Sequence, residues 1–430
     1  MYNLLLPKGF MKRNYFILVL IFLTFFVISF LSNIVGPLIP DIIRSFNLSY
    51  FMVAFLPFAF FIAYLMSIPA GILVEKYGEK RIMRIAFILA GSGALLFALF
   101  PVFSIALLSL FLIGFGMSML QVSINPLLRV AGGEEHFAFN SVTAQLFFGT
   151  ASFLSPQVYS YLVRHLNSGN KGNNFLVSLL EKLTPESLPW VSLYWIFVVV
   201  AFSMIIIVSL AKFPVITHPE DQKTGGLTTI KELLRQKTVI LFFIGIFAYV
   251  GTEQGIANWI SEFLSSYHGV DPQTTGANIV SYYWGLLTLG SLLGLVVLKL
   301  LDSRLVLRLF TGAAMINLTG ALLLDAEISI YLFPATGFFL SVMWSIIFSL
   351  ALNSMDKHHS SFAGILCTGI IGGAVIPLII GFFSDYIGLR FGMMFLFITL
   401  GYIFSIGFWA KPLINNKTIF TKKRTSQQAV

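Results

Sequence analysis

An all-α membrane protein of twelve transmembrane helices, six in each of two halves, is the fold the sequence predicts, and three observations carry it. Of the 430 residues, 57% are hydrophobic and only 10% charged, against roughly 25% charged in soluble domains. Apolar runs of about 20 residues, each long enough to cross a hydrocarbon core as a helix, recur from end to end. The basic residues, finally, gather in alternate connections between those runs.

Runs bounded by charge or turn residues predict spans at about 15–38, 51–74, 82–101, 104–128, 139–163 and 190–213, then 239–264, 278–299, 305–324, 328–353, 360–384 and 391–411. Lys12 and Arg13 precede the first run, but it extends to residue 38 without a small-x-small cleavage site, so it reads as a span and not as a secretory leader. Polar residues 214–238 separate six spans from six. The expected organisation is therefore an N-terminal half over 1–213, a cytoplasmic linker over 214–238, a C-terminal half over 239–411 and a basic tail over 412–430. The other long connection, 164–189, reads as a tether; FLVSLLEKL within it has the pattern of a short amphipathic surface helix.

An even number of spans puts both termini on one side. If that side is the cytoplasm, all but five of the 27 basic residues lie there, the exceptions being Arg44, Arg164, Lys171, Lys182 and Arg390. Such a bias orients membrane proteins, so a multi-pass protein of an inner or plasma membrane is expected, with both termini cytoplasmic. The same asymmetry accounts for the net charge of +9, and no nucleic-acid module accompanies it. Cys367 is the single cysteine, so neither an intrachain disulfide nor a thiolate metal cluster is available. All six histidines are expected in connecting segments, which argues against a buried histidine relay or metal site. The TGIIGG of span 11 lacks the Lys-Ser/Thr that follows in a phosphate loop. An enzyme, a bound cofactor and an ATP-driven pump are therefore not expected.

Between spans 2 and 3 stands GILVEKYGEKR, residues 71–81, which resembles the loop signature of the major facilitator superfamily with Glu75 at the acidic position. On this reading Gly71 allows close helix approach, Gly78 a tight turn, and Glu75 faces a helix N-terminus or pairs with a basic residue, with Arg81 completing the signature. Breaking these contacts would favour an inward-open state. An echo, GFFSDYIGLR at 381–390, repeats the glycine, the acid (Asp385) and the second glycine, as internal repeats in such folds would.

Six further stretches resemble the fucose/glucose/galactose:proton symporter family within that superfamily: LQVSINP (120–126), NSVTAQLFFGTASFLSP (140–156), YVGTEQGIANW (249–259), SYYWGLLTLGSLLG (281–294), IIFSLAL (346–352) and SSFAGILCTGIIGGAVIPLIIGFFSD (360–385). The resemblance implies a carrier of a monosaccharide, a hexose or 6-deoxyhexose, working by alternating access with a co-transported proton. The chain departs from the family at Val35 and Gly36, where an Asn-Asp pair is usual. It departs again at Gln121, a glutamate in the fucose carriers, and at Ser291 and Ser345, which replace a common arginine and a common proline.

Of the 18 carboxylates only Glu253 is expected well inside a span, the others lying in loops or near helix ends, and a charge at the bilayer centre costs about 2.5 to 3.5 kcal/mol, which makes it a functional candidate. Two roles are open: taking up a proton in the transport cycle, or accepting hydrogen bonds from sugar hydroxyls. On an ideal helix Gln254 and Asn258 share a face and Glu253 points about 100° away. A break in span 7 at Gly251 and Gly255 is expected to bring all three together. Gln121, Asn125 and Gln145 are candidate ligands because each amide offers donors and an acceptor to vicinal hydroxyls; the rival reading is interhelical glue. Trp259 and Trp284, with Trp344, are candidates to stack on a sugar ring. The reading is thus a monomeric carrier whose partners are a sugar, a proton and the lipid bilayer. The alternatives are an uncoupled facilitator, or a carrier or exporter of another small polar solute.

Overall fold

The computed structural model describes residues 14–133, 136–167, 175–213, 227–355 and 357–413, and every regular element among them is helical. Twelve spans follow in order. In the first half they are α1 (Tyr15–Phe46), α2 (Tyr50–Met66, running on through Ser67–Tyr77), α3 (Glu79–Leu99), α4 (Phe103–Gly132), α5 (Phe137–Asn167) and α6 (Pro189–Leu210). In the second they are α7 (Lys237–His268), α8 (Pro272–Leu300), α9 (Ser303–Leu323), α10 (Ala326–Leu352), α11 (Ser361–Ile387) and α12 (Leu389–Trp409).

Ten of these are long and apolar enough to cross a bilayer by length and composition alone. The other two are α2, interrupted by a tight turn at Ala63–Met66, and α5, whose Gln145, Ser152 and Gln157 dilute its hydropathy.

The first span differs from its expected extent. It does not end near residue 38: the chain pauses at Asn33, restarts at Val35 with Pro37 in the first turn, where a missing N–H costs nothing, and continues to Phe46. In the connection after α5, Phe175–Leu183 forms a helix with Val177 and Leu180 buried, and Trp195 of α6 donates its indole N–H to the Leu183 carbonyl at 3.2 Å. The linker keeps a helix over Leu227–Leu233, while 214–226 and the tail beyond 413 lie outside the described residues.

Asn14 donates to the Ala131 carbonyl at the end of α4, and Leu413 to the Asn353 carbonyl at the end of α10. Asn14 and Leu413, the first and last described residues, therefore lie on one face of the bundle, here the termini face; the opposite one is the far face.

The loop signature and its echo share a backbone. Gly78 has φ 79° and ψ 154°, Gly388 φ 86° and ψ 155°. A positive φ at this value favours glycine, and each residue joins two consecutive spans on opposite faces of the bundle. Gly71 does not serve the close approach expected of it, since a Cβ there would meet nothing nearer than Val122 at 3.7 Å. Its counterpart Gly381 does: a Cβ would come within 2.6 Å of the Tyr50 carbonyl oxygen.

Span 7 is not broken. It runs as one helix from Lys237 to His268, and its two glycines are used for packing: a Cβ at Gly251 would overlap Ile376 of α11, and one at Gly255 would stand 2.8 Å from Leu396 of α12. Small residues at crossings are how spans in lipid reach close van der Waals contact. His165 and His268 fall in the last turns of α5 and α7 and not in connecting segments.

Candidate substrate site between the halves

Between the two halves lies a cavity of about 440 Å³, lined by α1, α2, α4 and α5 on one side and by α7, α8, α10 and α11 on the other. Spans 3, 6, 9 and 12 contribute nothing to its wall.

Glu253 faces this cavity from α7. Its Oε1 accepts a hydrogen bond from the hydroxyl of Tyr249, one turn earlier, at 2.7 Å, and its backbone carbonyl accepts from the hydroxyl of Tyr283 on α8 at 3.1 Å. Both tyrosines are buried. One carboxylate oxygen is thus held by the protein while the side chain borders open space.

Opposite, Gln121 and Asn125 of α4 and Gln145 of α5 also line the cavity. Their amides form no hydrogen bond to another described residue, and Asn125 and Gln145 are exposed. Interhelical glue requires a partner across the interface, so these amides do not play that part in this conformation. Gln254 and Trp284 complete the sequence-expected residues at the wall, with Trp344 nearer the termini face. The Trp284 ring stands edge-on to Tyr283, 5.4 Å between centroids, and its buried indole N–H has no protein partner.

Two expected residues are elsewhere. Asn258 lies one turn beyond Gln254 and is 3% exposed, where α1 crosses α7. Trp259 is fully buried against Tyr50 of α2, 5.8 Å between ring centroids. Neither borders the cavity, because α7 stays helical and the far face is closed over both. The Asn258 amide nitrogen and the Trp259 indole nitrogen have no hydrogen-bond partner there.

Residues that sequence reasoning passed over also shape the site. Asn33, at the pause in α1, donates to Ser152 of α5 at 2.9 Å, and Ser29 and Ser152 share a hydrogen bond of 2.6 Å. An asparagine in the middle of an apolar run was the available signal. Cys367 and Ile370 of α11 form part of the wall.

On the far face, hydrogen bonds join the halves. Asp385 of α11 accepts from the backbone N–H groups of Tyr50 (2.8 Å) and Phe51 (3.1 Å) at the start of α2. Met52 donates to Ser49 Oγ and Val53 to the Ser49 carbonyl, so the first N–H groups of α2 are all satisfied, two of them by the other half. Asp41 of α1 accepts from Tyr159 of α5 (2.5 Å) and Gln273 of α8 (2.9 Å). The Tyr50 hydroxyl reaches Glu262 of α7 at 3.4 Å, and Arg44 reaches Ser265 at 3.0 Å. Acids outside the middle of the spans are thus buried more fully than Glu253, which borders the cavity: Asp41 and Glu262 are 5% and 7% exposed. Their positions near helix ends suggested solvent, and it is the opposing half that covers them.

Of the termini-face signature, the Arg81 guanidinium lies 5.9 Å from the Tyr77 ring, and the side chain of Glu75 falls outside what is described.

Comparison with known proteins agrees with this architecture. Residues 21–368 match the Major Facilitator Superfamily. The glucose/galactose transporter of Brucella abortus is 30% identical over 407 residues, 91% of this chain and 93% of that one. The L-fucose-proton symporter of Escherichia coli K12 is 23% identical, over 85% of this chain and 86% of its own. Structures of FucP, the E. coli fucose:proton symporter, one of them in the outward conformation, align with a TM-score of 0.64 at 21% identity, over 92% of this chain and 98% of theirs. That last likeness is one of fold.

Because Cys367 is the single cysteine and borders a cavity closed on the far face, it reports on access. A membrane-impermeant maleimide is expected to label it faster from the termini face than from the far face; equal rates, read by mass shift, would contradict the closure.

Proposed function

The chain belongs to the Major Facilitator Superfamily, in the branch of the fucose/glucose/galactose symporters, and on that premise we propose that it carries a monosaccharide by alternating access, with proton entry as the driving force. The observation that carries the reading is one cavity walled by both halves, with unpaired amides of Gln121, Asn125 and Gln145 on one side and Glu253, Gln254 and Trp284 on the other. Donors and acceptors left unpaired along a cavity wall suit a neutral polyol: each amide serves adjacent hydroxyls, and an indole takes the C–H face of the ring. The names of the glucose/galactose and L-fucose relatives support the substrate class.

In this scheme the termini face the cytoplasm, as the distribution of basic residues favours, and the conformation described is inward-open. Glu253 is the residue we assign to proton coupling. It is the acid that borders the cavity, and Tyr249 gives it a partner when ionised. Coupling requires only that its protonation differ between the two open states. Asn258 and Trp259 enter the scheme as ligands of the opposite conformation, since their unpaired nitrogens lie under the closed far face. The second reading, an uncoupled facilitator of the same fold, would use Glu253 only as a sugar ligand.

Gating follows from the two loop signatures. Asp385 holds the start of α2 when the far face is closed, and Gly71, Glu75, Gly78 and Arg81 are assigned the equivalent task on the cytoplasmic face. An acceptor at a helix N-terminus contributes about 1 kcal/mol. Asp385→Ala is therefore expected to shift the population towards the outward-open state by about fivefold, read as slower labelling of Cys367 from the cytoplasmic face. An unchanged rate removes Asp385 from the gate.

The transport assay is uptake of labelled L-fucose, D-glucose and D-galactose into proteoliposomes with and without an inward proton gradient. Gradient-driven accumulation of one of them is expected in wild type and is lost in Glu253→Gln, while exchange persists. A Glu253→Gln protein that still concentrates sugar would assign the coupling elsewhere.

A further inference from the structure

Towards the termini face the central cavity continues along α10 as a groove of about 380 Å³, lined by Trp344, Ser345, Phe348, Ser349, Leu352 and Asn353. Trp344 and Ser345 belong to both walls, so cavity and groove form one path. Its volume falls in the range of small-molecule sites, about 300–1,000 Å³.

Two strips run along the groove at four-residue spacing, which a helix stacks one turn apart. Trp344, Phe348 and Leu352 make an apolar strip, in which the two aromatic rings are nearly parallel at 18° with centroids 5.9 Å apart. Ser345, Ser349 and Asn353 make a polar strip beside it.

Serine in a span ordinarily returns its hydroxyl proton to a carbonyl of the preceding turn. The neighbours on this stretch do so: Ser341 donates to Phe338 at 2.6 Å and Ser354 to Leu350 at 2.7 Å. Ser345 and Ser349 do not, for neither hydroxyl donates to any described residue, and Ser349 Oγ only accepts, from the Asn353 amide at 3.4 Å. Two hydroxyl donors left free on one wall, next to a strip of ring faces, present the two surfaces of a carbohydrate with their complements: hydrogen bonds for its edge, an apolar platform for its C–H face.

We propose that this groove is a second sugar subsite, occupied between release from the central cavity and escape to the cytoplasm. It rests on the carbohydrate reading above and adds a place where the substrate is held after the central ligands let go. A subsite reached from one side only acts on one face of the transport cycle.

The test compares the two faces. Membrane vesicles of both orientations are supplied with labelled D-glucose, D-galactose or L-fucose, for wild type and for Ser349→Ala, Ser349→Thr and Phe348→Leu, all at positions outside the central cavity wall. Losing a neutral hydrogen bond is expected to raise KM at the cytoplasmic face about three- to tenfold, with KM at the external face unchanged and Ser349→Thr restoring the wild-type value. Equal KM changes at both faces, or none at either, would overturn the subsite while leaving the carrier reading intact. If wild type moves none of the three sugars, the carrier reading fails and the subsite with it.

Discussion

Contact between the two halves across the far face closes one end of the cavity and sets which polar groups the protein itself must satisfy. Where α1 crosses α7, Gly36 lies so close that a Cβ would overlap the Ala257 carbonyl oxygen. Beside that crossing the start of α2 takes two of its hydrogen-bond acceptors from Asp385 on the opposite half. The seal is built from polar groups that require partners when buried, not from apolar packing alone. Asp41 is held by Tyr159 and Gln273, and Glu262 by Ser266 at 2.7 Å. Opening the seal returns these groups to water, which satisfies them equally well. An interface of that kind is easily exchanged between two states, whereas a buried apolar interface of the same area would favour one of them strongly.

At the midplane the balance differs. Polar groups there divide into those the protein satisfies and those it leaves open to the cavity. Asn33, Ser29 and Ser152 pair among themselves and fix α1 against α5. Thr252 donates to the Ala248 carbonyl and shares a hydrogen bond of 2.6 Å with Thr399, fixing α7 against α12. Glu253 is half held, by Tyr249. Gln121, Asn125 and Gln145 are left for whatever enters. Scaffold and site are thus distinguished by hydrogen-bond completion, since both use the same residue types.

Much of this was legible in the sequence. Twelve spans could be counted because lipid forces every crossing segment to be a long apolar helix. Gln121, Asn125, Gln145, Glu253, Gln254 and Trp284 stood out because polar or indole groups deep in such segments are costly without a purpose, and all six border the cavity. What was not legible depends on the other half of the molecule. Gly251 and Gly255 suggested an unwound helix, yet their missing side chains make room for α11 and α12. Asp41 and Glu262 stand near helix ends, and nothing local indicates that the opposing half covers them. Asn258 shares a face with Gln254 but lies beyond the crossing of α1, so conformation and not periodicity removes it from the cavity.

Alternation between two closures changes distances across the far face, and these can be measured in a lipid bilayer. Nitroxide labels at Asn47→Cys and Glu327→Cys, both exposed positions on that face, with Cys367→Ser in the background, would be measured by double electron–electron resonance with and without sugar and a proton gradient. Two distance populations are expected, a short one matching the closed far face and a longer one, in proportions that change with sugar and gradient. A single short distribution under every condition would contradict alternation.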